Sequence, residues 1–203
     1  MIILGITGGV GAGKSEVLKY MEDAYKAVII KADELAANLM MPGNIAYEGI
    51  KSILPQDVLR EDGTIDNRKM AAVFFKDANL KNSVNSVVFP LVKDAISGII
   101  KIACENATNL LVLEAALLIE EHYDEICDEL WYIYAAEDIR AERLRLSRGY
   151  SDERIKAVMA SQLSDEEFIA GTKVVIDNSG SFEDTKIAID KELYRLGVKR
   201  WEQ

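Results

Sequence analysis

Five short apolar runs punctuate the chain, at residues 2–6, 27–30, 110–113, 130–134 and 174–176. They show almost no alternation with polar residues, the pattern of strands covered on both faces rather than on one. Between them the apolar positions recur at helical spacing. Val17, Leu18 and Met21 place a first helix over residues 14–24, directly after a glycine-rich turn. Residues 34–106 read as mostly helical, with turns at Met41-Pro42-Gly43 and Glu61-Asp62-Gly63 and no clear strand. Pro90 has no amide hydrogen to give, so it predicts a kink or a break in the helical stretch 79–104. An arginine-rich helical region, 138–168, separates the last two strand candidates, and a helix over 182–196 precedes a polar tail at 199–203. Strands joined through helices imply crossover connections, so the fold class expected is α/β: a three-layer arrangement around a five-stranded parallel sheet.

The turn after the first strand carries the chemistry. Gly8-Gly9-Val10-Gly11-Ala12-Gly13-Lys14-Ser15 matches GxxxxGK[ST] at every position and lies between a predicted strand and a predicted helix. Glycines allow backbone angles closed to other residues, so the amides around Gly9, Gly11, Ala12 and Gly13 can converge on one anion. The helix that follows adds its N-terminal partial positive charge at the same point. Lys14 is then placed to reach the outer phosphates and the Ser15 hydroxyl to ligate magnesium, which makes Mg2+ and ATP the expected cofactors. The loop alone does not separate a kinase from a GTPase, a motor or a regulatory ATPase.

Other residues gain meaning from where the strands end. Asp33 closes the second strand, at the edge where ligands gather in an open parallel sheet. It can accept a hydroxyl proton, hold magnesium through water, or simply cap the helix that follows. Glu114 ends the third strand and reads equally as an acidic residue near the cation or as the start of a helix. Arg140, Arg143, Arg145 and Arg148 line one helical segment. Guanidinium groups suit phosphate oxygens, and a solvated face paired with Glu137, Asp138 and Glu142 is the alternative. Trp131, Tyr132 and Tyr134 lie in a strand and read as core.

Composition narrows the partners. Among 203 residues the formal net charge is -10, with a sequence pI near 4.7, so no general basic field exists and nucleic acid is not an expected partner. Cys104 and Cys127 are far apart, without metal-ligand or disulfide spacing, which fits a reducing cytoplasm. The lone histidine, His122, sits among Glu120, Glu121 and Asp124 and reads as solvated surface. The apolar start lacks a cationic leader, and no run approaches the ~20 residues of a membrane helix, so no membrane partner is expected.

With these pieces placed, the chain resembles the bacterial dephospho-coenzyme A kinase family from Ile3 to about Leu196. The similarity rests on Gly5 to Ser15, then Ala32-Asp33 with Ala36, then Asp62-Gly63-Thr64 and Asn67-Arg68. It continues through Leu117-Leu118-Ile119-Glu120, Arg143 with Arg148, Ser161-Gln162 and Val175-Ile176-Asp177-Asn178. What the resemblance implies is phosphorylation of the ribose 3′-hydroxyl of dephospho-CoA by ATP, the last step of coenzyme A synthesis, with Asp33 as base, Lys14 and Arg143 on the transferred phosphoryl group and Arg148 near the nucleotide. It also implies a nucleotide-binding core of residues 1–36 and 108–203, a helical acceptor-binding insert of 37–107, a lid at 140–170, and a monomer. The alternatives are a related small-molecule kinase and a nucleotide-binding paralogue without transferase activity. The sequence departs from the family pattern at Lys31, Phe89, Ala116, Gly149, Phe168 and Thr172-Lys173; Lys31 adds a charge beside Asp33, and Phe89 and Phe168 stand where His and Lys are usual.

Overall fold

The computed structural model describes residues 1–201. In chain order the elements are β1 (Ile2–Thr7), α1 (Lys14–Tyr25), β2 (Val28–Lys31), α2 (Ala32–Leu39), α3 (Tyr47–Ile53), α4 (Asn67–Lys76), α5 (Ala78–Glu105), β3 (Leu110–Glu114), β4 (Glu129–Tyr134), α6 (Glu137–Arg148), α7 (Asp152–Ala160), α8 (Asp165–Ala170), β5 (Val174–Asp177) and α9 (Phe182–Arg195). They form two compact units: Met1–Ile30 together with the chain from Ala103 onward, and Lys31–Ile102.

In the first unit all five apolar runs become strands of one sheet, in the order β2-β3-β1-β4-β5. β1 runs parallel to both neighbours, with Leu4 opposite Val112 and Ile6 opposite Trp131, and β4 pairs parallel with β5. The near-absence of polar residues follows from burial on both faces: Leu4, Ile6, Leu111, Val112, Leu113, Trp131, Tyr132 and Ile133 are all fully buried. Val17 and Met21 of α1 and Ile189 and Leu193 of α9 cover the sheet in the same core, their spacing of four placing each pair on one helical face. After β1 the chain builds one side of the sheet, then returns to build the other from β4. The carboxyl end of β1 is therefore a topological switch point, where a parallel sheet opens a crevice.

The tail folds back on this unit. Trp201 donates its amide to Ala24 O at 2.9 Å, and Arg200 lies 3.7 Å from Asp190. The last two residues of the polar tail fall outside the described residues. No helix among the described residues is long and apolar enough to cross a membrane.

In the second unit the described residues carry helices and one isolated antiparallel bridge, Leu59 to Ile65. Asp66 caps α4 by accepting the amides of Arg68 and Lys69. Pro90 does not break the helix: α5 is a single helix with Pro90 inside it. Val84, Val88, Val92 and Ile96 form its buried stripe, while Pro90 faces solvent. The carbonyl of Ser86, deprived of its amide partner, is then open to water, and burial along the opposite face holds the helix together.

Candidate active site

Between β1 and α1 the phosphate loop is held from behind through its carbonyl groups. Arg140 Nε donates to Val10 O at 3.1 Å. Arg143 reaches Gly11 O at 3.5 Å and Ala12 O at 3.4 Å, and Asn178 Nδ2 donates to Ala12 O at 2.8 Å. Across a trans peptide the C=O and the following N–H point in opposite directions. Fixing Val10 O therefore aims the Gly11 amide the other way, and fixing Ala12 O does the same for Gly13. The amides of Gly11, Gly13 and Ser15 donate to no acceptor among the described residues, and the Ser15 side chain is exposed. This is an anion-binding nest at a helix N-terminus.

Two glycines are needed for it. Gly13, at φ 89°, is the N-cap of α1, and a Cβ there would run into the Asn178 amide. At Gly9 a Cβ would lie 2.5 Å from the Arg140 guanidinium carbon, so glycine is what lets that buried arginine pass under the loop.

Lys14 Nζ donates to Gly8 O at 2.7 Å and lies 3.8 Å from Glu114 Oε1. Glu114 is the last residue of β3 and is followed by turns rather than a helix, so the helix-start reading of this residue is corrected. Parallel pairing of β3 with β1 carries its carboxylate to the lysine side of the loop.

The arginines of α6 divide between two faces. Arg140 is 7% exposed and lies 3.9 Å from Asp165 Oδ1, which accepts the Tyr132 hydroxyl at 2.5 Å. Arg143, half-buried, also donates to Asn178 O at 2.8 Å. Arg145 and Arg148 point outward: Arg145 pairs with Asp152 at 2.8 Å, and Arg148 stands 6.0 Å from the Tyr150 ring, its hydrogen bond drawing the Tyr150 phenol below its ordinary pKa. Lys14, Arg143 and the loop are thus brought together, and Arg148 is not. Arg145 and Arg148 are exposed, though Arg145 pairs with Asp152 rather than with Glu137, Asp138 or Glu142, whereas Arg140 and Arg143 turn to the loop.

Asp33 is the second residue of α2 and exposed. The N-cap position belongs to Lys31 and there is no side-chain cap bond, so the capping role is corrected. Asp33 lies in the second unit, where Lys31 pairs with Glu34 at 2.8 Å. Phe168, where the family resemblance implies lysine, is buried and stacks on Tyr132 with ring centroids 4.7 Å apart; this departure is absorbed by packing.

Two loop-contacting residues had no role from the sequence: Gln162 and Asn178. Asn178 stands directly after β5, 1% exposed, with Oδ1 accepting the Thr185 hydroxyl at 2.8 Å. Gln162 accepts the Val10 amide at 2.9 Å. The available signal was their place in collinear family landmarks, because no local spacing marks either.

A family model described as dephospho-CoA kinase matches residues 2–184. A dephospho-CoA kinase of Carboxydothermus hydrogenoformans is 33% identical over 199 residues, 98% of this chain and 96% of the relative. One from Geobacter sulfurreducens is 31% identical, covering 99% and 100%. Among solved structures, a Thermus thermophilus protein superposes with a TM-score of 0.84 at 27% identity, over 96% of this chain and 97% of the other. A dephospho-CoA kinase from Campylobacter jejuni, at 20% identity and a TM-score of 0.69 over 96% of each chain, shares the fold. The match over nearly the whole length, on top of the loop geometry, establishes that this chain belongs to the dephospho-CoA kinase family.

Proposed function

We propose that this chain transfers the γ-phosphoryl group of ATP to the ribose 3′-hydroxyl of dephospho-CoA, giving CoA and ADP. The observation that carries it is the phosphate loop: its carbonyls are tied back by Arg140, Arg143 and Asn178 while the amides of Gly11, Gly13 and Ser15 are left for an anion. The acceptor oxygen forms a bond to the γ-phosphorus as the bond to the β,γ-bridging oxygen breaks; ADP takes that electron pair, and Asp33 takes the hydroxyl proton. The amides of Gly11, Gly13 and Ser15 hold the polyphosphate. Lys14 meets the charge that spreads over the transferred group, Arg143 would join it only by leaving the carbonyls it holds in this structure, and Arg148 would reach the nucleotide when its part of the segment 140–170 closes as a lid. The insert of residues 37–107 takes the acceptor, and the protein acts as a cytoplasmic monomer.

Magnesium fits the donor set. The exposed Ser15 hydroxyl begins the first turn of α1, and the Glu114 carboxylate stands beside Lys14; both are hard oxygen donors. When bound, Mg2+ neutralises phosphate charge and draws electrons from the bridging oxygen.

The test is turnover with magnesium, ATP and a panel of acceptors, read as ADP release and product mass. Dephospho-CoA should be the preferred acceptor, and Asp33→Asn should lower kcat by about 10²–10⁴. Preference for another hydroxyl compound would replace the acceptor named here, and near-normal turnover in Asp33→Asn would remove Asp33 from the base role.

A further inference from the structure

Gln162 lies in the turn between α7 and α8, half-buried, and the transfer reaction as written above makes no use of it. Its side-chain oxygen accepts the Val10 amide at 2.9 Å and an Arg140 guanidinium N–H at 3.4 Å. Arg140 Nε in turn donates to the Val10 carbonyl at 3.1 Å. Both partners of the Gln162 terminus are donors, so only its oxygen can face them, and the network fixes the orientation of the carboxamide. The result is a closed ring of hydrogen bonds gripping the peptide units on both sides of Val10.

The ring does more than hold one residue. The Val10 carbonyl and the Gly11 amide share a trans peptide plane, so the grip on Val10 sets the direction in which Gly11 presents its N–H to a phosphate. Arg140 alone holds the carbonyl end. Gln162 fixes the preceding plane and so removes the remaining freedom to rotate. Because Gln162 belongs to the α7–α8 segment, the aim of the loop is tied to the placement of that segment. Arg140 also lies 3.9 Å from Asp165, the first residue of α8, which accepts the Tyr132 hydroxyl, and Gln162 is the residue of this segment that bonds the loop backbone directly.

We propose that Gln162 is a positioning residue for phosphoryl transfer: its carboxamide oxygen occupies the Val10 amide, fixes the loop peptide that aims the Gly11 N–H, and couples that aim to the α7–α8 segment. This rests on the phosphate-loop reading of the preceding subsection. Loss of the acceptor leaves a loop amide and a guanidinium N–H short of a partner, which is worth on the order of tenfold or more in the occupancy of the aligned state.

The experiment compares the full chain with Gln162→Leu and Gln162→Met, which both remove the acceptor, and with Gln162→Glu, which keeps it. Two quantities are read: hydrogen exchange at the Val10 amide by NMR, and kcat for transfer to dephospho-CoA normalised to ADP-binding sites counted by calorimetry. In Gln162→Leu and Gln162→Met, Val10 exchange should quicken about tenfold and normalised kcat should fall about tenfold; Gln162→Glu should keep the slow exchange. Normalisation per binding site excludes loss of folded protein as the cause, and Gln162→Met serves should Gln162→Leu fold poorly. Unchanged Val10 exchange in the acceptor-free variants overturns the proposal, as does quickened exchange with normalised kcat within twofold of the parent protein. A parent protein that binds ATP yet passes no phosphate to dephospho-CoA overturns the activity reading instead, and Val10 exchange then decides the positioning of the loop alone.

Discussion

Lys14 carries the only ammonium group within the phosphate loop, and its Nζ is kept close by the Gly8 carbonyl and the Glu114 carboxylate. A cation so held needs little rearrangement to meet an outer phosphate, and its value appears in the transition state, where negative charge spreads over the transferred group. Lys14→Met should therefore lower kcat on the order of 10²–10³, while the melting temperature stays within roughly 4 °C, the change that about 1 kcal/mol makes in a domain of this size. Steady-state kinetics with dephospho-CoA, run beside a thermal melt, checks both, and a fall in kcat matched by loss of folded protein would contradict it. At this scale the sequence showed the loop but not its supports. The glycines and Lys14 are local chemistry, legible because a fixed spacing encodes them. Arg140 and Arg148 look alike in one dimension; what distinguishes them is rotation about α6, which puts one beneath Gly9 and the other beside Tyr150.

Among the elements, the strands were the most legible, because runs apolar on both faces have few homes other than the middle of a parallel sheet. α1 begins directly after the phosphate loop and α9 at Phe182, as their apolar spacing placed them, and the structure adds a cap at the head of α9, where Ser181 accepts the Asp184 amide. α5 continues past Pro90 without the break that the sequence allowed, because burial along the helix outweighs the lost hydrogen bond. Val88 and Val92 bracket Pro90 on the buried face, at 4% and 2% exposure, and a helix pinned at such positions continues through an exposed proline. Replacing Pro90 with Ala returns an amide to the Ser86 carbonyl and removes the ring, so it should stabilise the helix by about 1–3 kcal/mol. Thermal denaturation should show the corresponding rise, roughly 2–10 °C. An unchanged or lower melting temperature would mean that the helix is shaped around the proline rather than merely tolerating it.

For the whole molecule, the response to pH follows from groups whose protons are held differently in the folded chain. Cys127 is 9% exposed, and burial, reinforced by the nearby Asp128 and Asp124 carboxylates, pushes its thiol from an ordinary value of 9.0 to about 12. Tyr20 is pushed to about 12 by burial and by its hydrogen bond to Asp190. In both, the folded state keeps a proton that the unfolded chain releases earlier. Their contribution is complete below the unfolded pKa and is lost as pH rises towards the folded one, which for Cys127 means the window from about 9 to 12. Glu129 shifts the other way: hydrogen bonds from Arg195 hold its carboxyl below the ordinary value of 4.5, so its contribution is present above that pH and fades as the solution becomes more acidic. Stability should therefore show a plateau bounded by acid loss on one side and by a decline beginning near pH 9 on the other. In urea titrations the decline should be shallower in Cys127→Ala by up to about 1.4 kcal/mol per pH unit, the slope one proton contributes. The same burial makes the two cysteines distinguishable in the native protein. Exposed Cys104 should react promptly with a thiol reagent at pH 8, and Cys127 only on unfolding, because the thiolate is the reactive species. Equal reaction rates for both in the folded chain would show that Cys127 is open to solvent, and the alkaline slope assigned to it would then disappear as well.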